Sequence, residues 1–552
     1  MTEQNRTGFF EQLKQRSVIR AAIMYVVVAW VLLQFNDVVS DPLSLPPWFG
    51  RVLIILLAIG FPITLALAWI FDVTPQGIVR ASDANFSDYE RSRFSRKLDL
   101  AIMGFLGAAL LLTIYAYENG GLDSDRATAE APGADGTLLS NLGAVSQSAL
   151  PAREGGDDKY LLIGNLVDFT GTTATSGQAY GQAIIDAANW INEGGGINGK
   201  LIDLDTVETS YLVRRALAAY RKWRLQGVVA IQGWGTQIGQ ALTDLVSRDG
   251  VPFFSASYAG TFTDPAKAPY NFFYGPSYSD GCRGLVQWAA KDIAASKGEG
   301  VSASYVHMGD NHPYPNAPKH ACETYAKELG FEVLPAIEFS LVPEDFRPQC
   351  RKLASLNADY AFLANTDNSV AALLKDCHEI GVETQFMANI WGYDERVMKA
   401  IGPAADGVVW VMGAARWGDE VPGMYTVQEI SRMSDPEERK YRSVHYIRGV
   451  CSMFYLKEAM EWADANGGIA GPNIRSGKYE LDNTAPAGLE GVCLQGVRTA
   501  EYHRGITKVL IYRGSVRGPT DATIEDLIAS GTIGLHRIYE AEIPRRPEWL
   551  GI

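Results

Sequence analysis

Apolar positions follow two regimes along this chain. Up to residue 117 they gather into three long runs, Val18–Phe35, Val52–Phe71 and Leu98–Tyr117, and from about residue 158 they recur at the short periods of strands and helices. Each run is close to the roughly 20 residues that cross a hydrocarbon core of about 30 Å. The pattern therefore predicts a membrane module over 1–117 with spans at about 18–36, 51–71 and 98–117. Residues 118–158 are rich in Gly, Ala, Ser and Asp with no apolar face, and read as a flexible linker. A coil of about 40 residues lets the body beyond it range about 35 Å from its anchor.

Residues 159–552 read as a body of alternating strands and helices. Tyr160–Val167 (YLLIGNLV) is strand-like, and Gly177–Asn192 places Ala183, Ile184, Ala187, Ala188 and Ile191 on one helical face. After the corner Glu193–Gly199 come a strand (LIDLDTV), a helix (LVRRALAAYRKWRLQG), a strand (VVAIQG), a helix (QIGQALTDLVSRDG) and a strand (VPFFSAS). Strand patterns resume at Ser302–Met308, Phe331–Phe339, Ala358–Ala364, Gln385–Ala388 and Gly407–Met412. This alternation predicts two lobes, each a doubly wound parallel sheet covered on both faces. The first takes about 159–280 plus returning C-terminal segments, the second about 300–415 plus part of the remainder.

Charge orients the module. Arg6, Lys14, Arg16 and Arg20 stand at the start of the first run, and Arg80, Arg91, Arg93, Arg96 and Lys97 fill the loop before the third, whereas 36–50 has no Lys or Arg. Basic residues stay on the cytoplasmic side. The N-terminus is then cytoplasmic and residues 118–552 lie outside the bacterial inner membrane, in the periplasm. Trp30, Trp48, Trp69, Tyr115 and Tyr117 suit the membrane interface, with helix–helix packing an equal reading for Trp30 and Trp69. A cleaved signal peptide is the alternative for the first run; its length, the lack of a small-x-small site and the second span close behind argue against it. The absence of cysteine before Cys282 argues against a lipid anchor on an N-terminal cysteine.

At 552 residues, 47% hydrophobic and 20% charged, the chain can supply this module and two ordinary domains. Its net charge of −14 excludes a nucleic-acid partner, which needs a basic face. All six cysteines fall in the part assigned outside, where disulfides persist, and none has zinc-site spacing. His307, His312 and His320 share one stretch that reads as a solvated loop rather than a metal site. No cofactor is expected. With no nucleophile elbow, P-loop or dinucleotide fingerprint, an enzyme is not expected either.

The start FFEQLKQRSVIRAAIMYVVVAWVLLQ…GFPITLALAWIFDVTPQGI resembles a membrane module of many proteobacterial tethered proteins. In the body, IGNLVDFTG…AIIDAANWINEGGGINGKLIDLDTVET, VVAIQGWGTQIGQALTDLVSRDGVPFFSAS and HEIGVETQFMANIWGYDERVMKAIGPAADGVVWV resemble the type I periplasmic solute-binding proteins of the leucine/isoleucine/valine class, over about 350–390 residues. The resemblance implies two lobes joined by crossovers, closing on a small solute and presenting it to an ABC permease.

Ligands of open α/β sheets bind at the carboxyl ends of strands. The loops there supply the candidate ligand contacts Thr172, Trp234, Thr236, Ser257, Tyr258, Tyr314, Thr366, Trp391 and Asp394. Following the resemblance, Thr236 at a helix start would bind a carboxylate beside backbone N–H groups, or serve only as an N-cap. Ser257 and Tyr258 would donate to the ligand. Tyr314 takes the aromatic position of the family's Asp-x-x-Tyr-Gly loop, with Pro315 in place of its glycine. Trp234 and Trp391 either wall an apolar ligand or pack in the core. Cys350 and Cys377, on consecutive helices of the second lobe, either bridge or remain buried thiols.

Two departures bear on the ligand. Amino-acid binders of the class hold the ligand ammonium with a carboxylate at the position of Ile390, and their first-loop tryptophan is Ser176 here. A buried ammonium without a carboxylate costs several kcal/mol. Unless Asp394 or Asp367 substitutes, the expected solute lacks an α-amino group: an acid, an amide or an alcohol-containing compound. The expected function is solute capture and delivery to an ABC permease. The alternative is a solute sensor acting through a separate membrane signalling partner, since cytoplasmic parts of about 20 and 27 residues hold no kinase or cyclase.

Overall fold

The computed structural model describes residues 159–546 except 299, a hairpin of β1 (Phe71–Thr74) and β2 (Gly77–Arg80), and eight isolated helical positions between Tyr25 and Thr64. The third apolar run, the linker and most of the first two runs lie outside the described residues, as do Trp30, Trp48, Trp69, Tyr115 and Tyr117. Among the described residues no helix is long and apolar enough to cross a membrane. Phe71, expected to end the second span, instead opens β1, because Phe-Asp-Val-Thr alternates in the manner of a strand and pairs antiparallel with β2. The Tyr25 hydroxyl donates to the Leu57 carbonyl at 2.7 Å, and its ring lies 5.5 Å from that of Phe61, joining the first run to the second.

The chain divides into two compact units, Met1–Leu139 and Ser140–Ile552. The second holds two lobes. In lobe 1, β3 (Tyr160–Val167), β4 (Leu201–Glu208), β5 (Ala230–Gly233), β6 (Phe253–Ser255) and β7 (Asn271–Phe273) form a parallel sheet in the order β4-β3-β5-β6-β7. Its helices include α1 (Ala174–Glu193), α2 (Val213–Leu225) and α3 (Thr236–Asp249). Seven of the eight residues of β3 are buried, as expected where helices cover both faces. At Gly164 a Cβ would stand 2.4 Å from the Trp223 ring, so glycine lets α2 lay its tryptophan on the strand, where Trp223 Nε1 donates to Asp205 at 2.7 Å.

Lobe 2 begins with α4 (Tyr278–Lys297) and contains β8 (Ser304–Gly309), α5 (Pro313–Asn316), α6 (Lys319–Glu328), β9 (Glu332–Val333), β10 (Ile337–Glu338), α7 (Arg347–Leu356), β11 (Tyr360–Leu363), α8 (Asp367–Glu379), β12 (Gln385–Ala388), α9 (Glu395–Ile401) and β13 (Val409–Met412). The strand expected over 331–339 is broken by Pro335, which offers the ladder no N–H. His307 corrects the solvated-loop reading: it is buried within β8, while His312 caps α5 and only His320 is exposed.

The chain then returns to lobe 1 with α10 (Met424–Arg432), α11 (Val444–Ala465) and α12 (Gly471–Glu480), and ends in lobe 2 with β14 (Lys508–Val516), α13 (Ile524–Ala529) and β15 (Ile533–Glu542). Helix α11 is buried on every side from Val444 to Leu456 and lies between α1 and α12. The second sheet runs β10-β8-β11-β12-β13-β14-β15, with β9 also on β8. It is parallel through β13, but β14 and β15 add antiparallel. The wholly parallel sheet expected for this lobe is thereby corrected to a mixed one.

Disulfides join Cys282 to Cys322, Cys350 to Cys377 and Cys451 to Cys493. The last ties α11 to the third of three crossovers between the lobes, which follow β7, β13 and Cys493. One side chain meets all three. The Tyr274 hydroxyl donates to the Gly413 carbonyl at 2.7 Å and accepts from the Leu494 N–H at 2.8 Å. Tyr274→Phe leaves a buried carbonyl without its donor and an amide without its acceptor, and should cost about 1–3 kcal/mol. Urea unfolding of the full chain in detergent measures this, and an unchanged midpoint would dismiss the hinge role.

Candidate functional site

The carboxyl ends of both sheets face one cleft, and its loops are shaped by their own side chains. After β3, the Asp168 carboxylate accepts from the Gly171 N–H at 2.6 Å, the Thr173 N–H at 3.1 Å and the Thr173 hydroxyl at 2.6 Å. Thr173 Oγ1 in turn accepts from Trp234 Nε1 at 2.7 Å, which holds the tryptophan that follows β5. Gly235, at φ 95°, immediately precedes α3, and a Cβ there would stand 2.2 Å from the Tyr211 ring, so only glycine serves. Thr236 is the first residue of α3, its hydroxyl 2.7 Å from that of Ser257.

In lobe 2 the loop after β12 hangs on Asn389. Its Oδ1 accepts from the Trp391 N–H and the Tyr314 hydroxyl, each at 2.8 Å, and its Nδ2 donates to the Leu363 and Asn365 carbonyls. Trp391 thereby reaches across the cleft. Its ring centroid lies 4.9 Å from Trp234, 5.3 Å from Tyr258 and 5.9 Å from Tyr180, all from lobe 1, and its Nε1 donates to the Tyr278 hydroxyl at 3.1 Å. Thr173, Trp234, Thr236, Tyr314, Thr366 and Trp391 line one cavity of about 10 Å³. That is room for about one water, so a solute larger than water enters only when the lobes part.

A polar cluster closes the rim. Asp394 caps α9, accepting from the Arg396 and Val397 amides at 2.9 and 3.1 Å. Arg396 donates to Asp394 at 2.6 Å and Asp367 at 3.0 Å, then crosses to the Thr175 carbonyl of lobe 1 at 2.9 Å. Asn368 also bonds the Thr175 hydroxyl. His445 of α11 stands 3.6 Å from Asp394, and burial with Arg448 and Arg396 nearby keeps its ring neutral. Asp367, Asp394 and His445 place their donor atoms within 4.8 Å of one another, as a metal site would. Arg396, however, already supplies the cation for both carboxylates, so the set does not fit a metal.

Thr172 is exposed, and its neighbour Thr173 lines the cavity instead. Asp394 belongs to the rim latch rather than the cavity wall, and with Asp367 it is engaged by Arg396. Ser257 and Tyr258 are wholly buried behind the wall. Tyr180, Tyr211, Tyr278, Arg396, His445 and Arg448 were missed. The two basic ones at 445 and 448 had a signal, since they interrupt the otherwise apolar stretch of α11. A larger hollow of about 510 Å³ sits at the amino ends of β11 and β12, where ligands of such sheets do not bind.

The sequence model described as periplasmic binding protein matches residues 161–519. The chain belongs to the periplasmic binding protein family. No curated protein matches it. Among solved structures, an ABC transporter substrate-binding protein from Aeropyrum pernix superposes with a TM-score of 0.60 at 24% identity, covering 71% of this chain and 98% of its own. A branched-chain amino acid ABC transporter protein from Thermus thermophilus with bound valine gives 0.60 at 20%, covering 64% and 93%. A fatty acid ABC transporter substrate-binding protein from Thermomonospora curvata gives 0.59 at 18%, covering 71% and 96%. At these identities the likeness is one of fold.

In this periplasmic binding protein the rim also sets a pH dependence. Glu395, beside Asp394, is 3% exposed, and burial first, then the neighbouring carboxylate, raises its carboxyl from 4.5 to about 7. Between those values the unfolded chain has released a proton that the folded one keeps, so this group's contribution falls as pH rises and is lost above about 7. His307, His445 and His503, all lowered by burial, act in the opposite sense at acid pH. The carboxyl is therefore read as a difference. Glu395→Gln should match wild type near pH 4.5 and exceed it by a few kcal/mol at pH 8. Parallel stability–pH curves would refute the assignment.

Proposed function

We propose that this chain is a membrane-tethered, extracytoplasmic solute-binding protein that captures a small organic solute between its lobes and delivers it to an ABC-type permease. The observation that carries the reading is the meeting of Trp234 and Trp391 at 4.9 Å across a cleft whose lobes share a three-strand hinge. Rings on opposite lobes gain contact only on closure, which a solute between them would stabilise. The tether rests on the three apolar runs and their basic flanks, with the Tyr25–Leu57 contact consistent with packed spans.

The cleft residues bear on the solute. Of the similar folds, one holds valine and another is a fatty-acid transporter protein, so the fold leaves the class open. Here Ile390 occupies the position of the ammonium-binding carboxylate, and Asp367 and Asp394 are taken by Arg396. That favours a solute without an α-amino group. The tether also suits a sensing subunit, because confinement raises the concentration at a membrane partner whether that partner is a permease or a signalling protein.

A metabolite panel screened by thermal shift on the detergent-solubilised chain should show one acid or amide raising Tm, as mass action requires of a ligand specific to the folded state. An equal gain from leucine would sink the no-ammonium inference. Co-purification of an ABC permease supports delivery, and a signalling protein in its place supports sensing. On spheroplasts, added protease should remove residues beyond 158 while sparing the N-terminus; full protection of the body would reverse the orientation.

A further inference from the structure

Arg448 is 0% exposed and among the described residues forms no ion pair, the nearest favourable carboxylate, Asp394, being already bonded to Arg396. It stands on α11, on the lobe 1 side of the cleft. Its two close contacts come from lobe 2: Nη2 donates to the Ile390 carbonyl at 2.8 Å, and the guanidinium lies 4.6 Å from the Trp391 ring centroid. Nε and Nη1 meet no acceptor. Two further donors around the same ring are idle, the hydroxyls of Tyr180 and Tyr258, which are 2% and 0% exposed. The Tyr180 hydroxyl stands near Ser452, whose own hydroxyl donates to Gln232 at 2.9 Å.

Unmade hydrogen bonds at buried groups cost about 1–3 kcal/mol each, and more for a charged group. Here the orphans are biased in kind. A guanidinium has donors only, and each phenol has a proton to give. The side of the cleft where an amino-acid binder needs acceptors for an ammonium thus offers donors for an anion. When the lobes part, Ile390 and Trp391 leave with lobe 2 and Arg448 opens to the cleft. On closure with an acid inside, a carboxylate that takes Nη2 from the Ile390 carbonyl can accept from Nε and Nη2 together, the bidentate geometry that arginine favours, while Nη1 remains free to donate to the same acid.

Resting on the solute-binding reading above, we infer that the solute is a carboxylic acid whose carboxylate is held by Arg448, with the Tyr258 and Tyr180 hydroxyls completing its donors. The acid both fills the cleft and relieves the cost of burying the cation, so closure is coupled to the ligand's charge.

The test measures affinities by calorimetry on the full chain in detergent, using benzoate, benzamide and benzylamine and the matching hexanoate, hexanamide and hexylamine, together with any hit from the metabolite panel. At least one acid should bind tenfold or more tighter than its amide, with no binding by the amine. Arg448→Met should lose acid affinity about 100-fold while raising the Tm of the free protein, because it removes an unpaired buried charge at similar volume. Should that variant fail to fold, Tyr258→Phe serves: free Tm unchanged or higher, acid affinity down about tenfold. Acid and amide binding alike, or unchanged acid affinity in Arg448→Met or Tyr258→Phe, overturns the assignment. A panel yielding only neutral or cationic solutes overturns it while leaving solute capture intact, and a panel yielding none removes both.

Discussion

The Tyr274 hydroxyl is where the two lobes are held as one machine. It is the donor for one crossover and the acceptor for another while standing on the third. Three parallel connections let the lobes rotate but resist sliding, so residues on opposite walls meet in a fixed register. That constraint makes the cleft chemistry meaningful. Trp391 can be aimed at Trp234 and Tyr258, and Arg396 at the Thr175 carbonyl, only because closure returns them to the same places. The Cys451–Cys493 bridge works alongside, fixing the third crossover to the helix that carries His445 and Arg448.

Closure balances favourable and costly contacts. The aromatic cluster around Trp391 gains on closing, with offset and edge contacts worth about 0.5–1.5 kcal/mol per pair beyond area burial. The Arg396 latch adds one charge-assisted hydrogen bond between lobes, to the Thr175 carbonyl, and Asn368 adds a second bond to the same residue. Against these stand Nε and Nη1 of Arg448 and the hydroxyls of Tyr180 and Tyr258, buried without acceptors. A binding protein needs such a balance. If its closed form were well satisfied without solute, the solute would have little left to shift.

Much of this was legible along the chain. The parallel strands β3 to β6, β8 and β11 to β13 announce themselves as short apolar runs between helical patterns, and the loops at their ends named Trp234, Thr236, Tyr314, Thr366 and Trp391, which line one cavity. The C-terminal third was not. From Val444 to Leu456 helix α11 has no polar face to reveal a period, because that part is buried on all sides. Strands β14 and β15 add antiparallel at an edge, where no crossover helix marks them. Thr172 and Thr173 differ by one position in a loop, and Asp168 makes the choice by turning Thr173 inward, a hydrogen bond that spacing cannot reveal.

Arg448 lies at the limit of such reading. An arginine within VHYIRGVCSMFYL is conspicuous in an apolar helix, yet nothing in that string says which lobe it will face. Its meaning comes from the opposite wall. Ile390, read alone, is the loss of a carboxylate and implies only that an ammonium is unwelcome. Set 2.8 Å from a buried guanidinium by its own carbonyl, the same position marks a change of sign in the cleft. Replacing an acceptor carboxylate by an apolar side chain merely weakens binding of a cation. Adding an unpaired cation repels it, and selectivity that combines a repulsive element with an attractive one exceeds what either achieves alone.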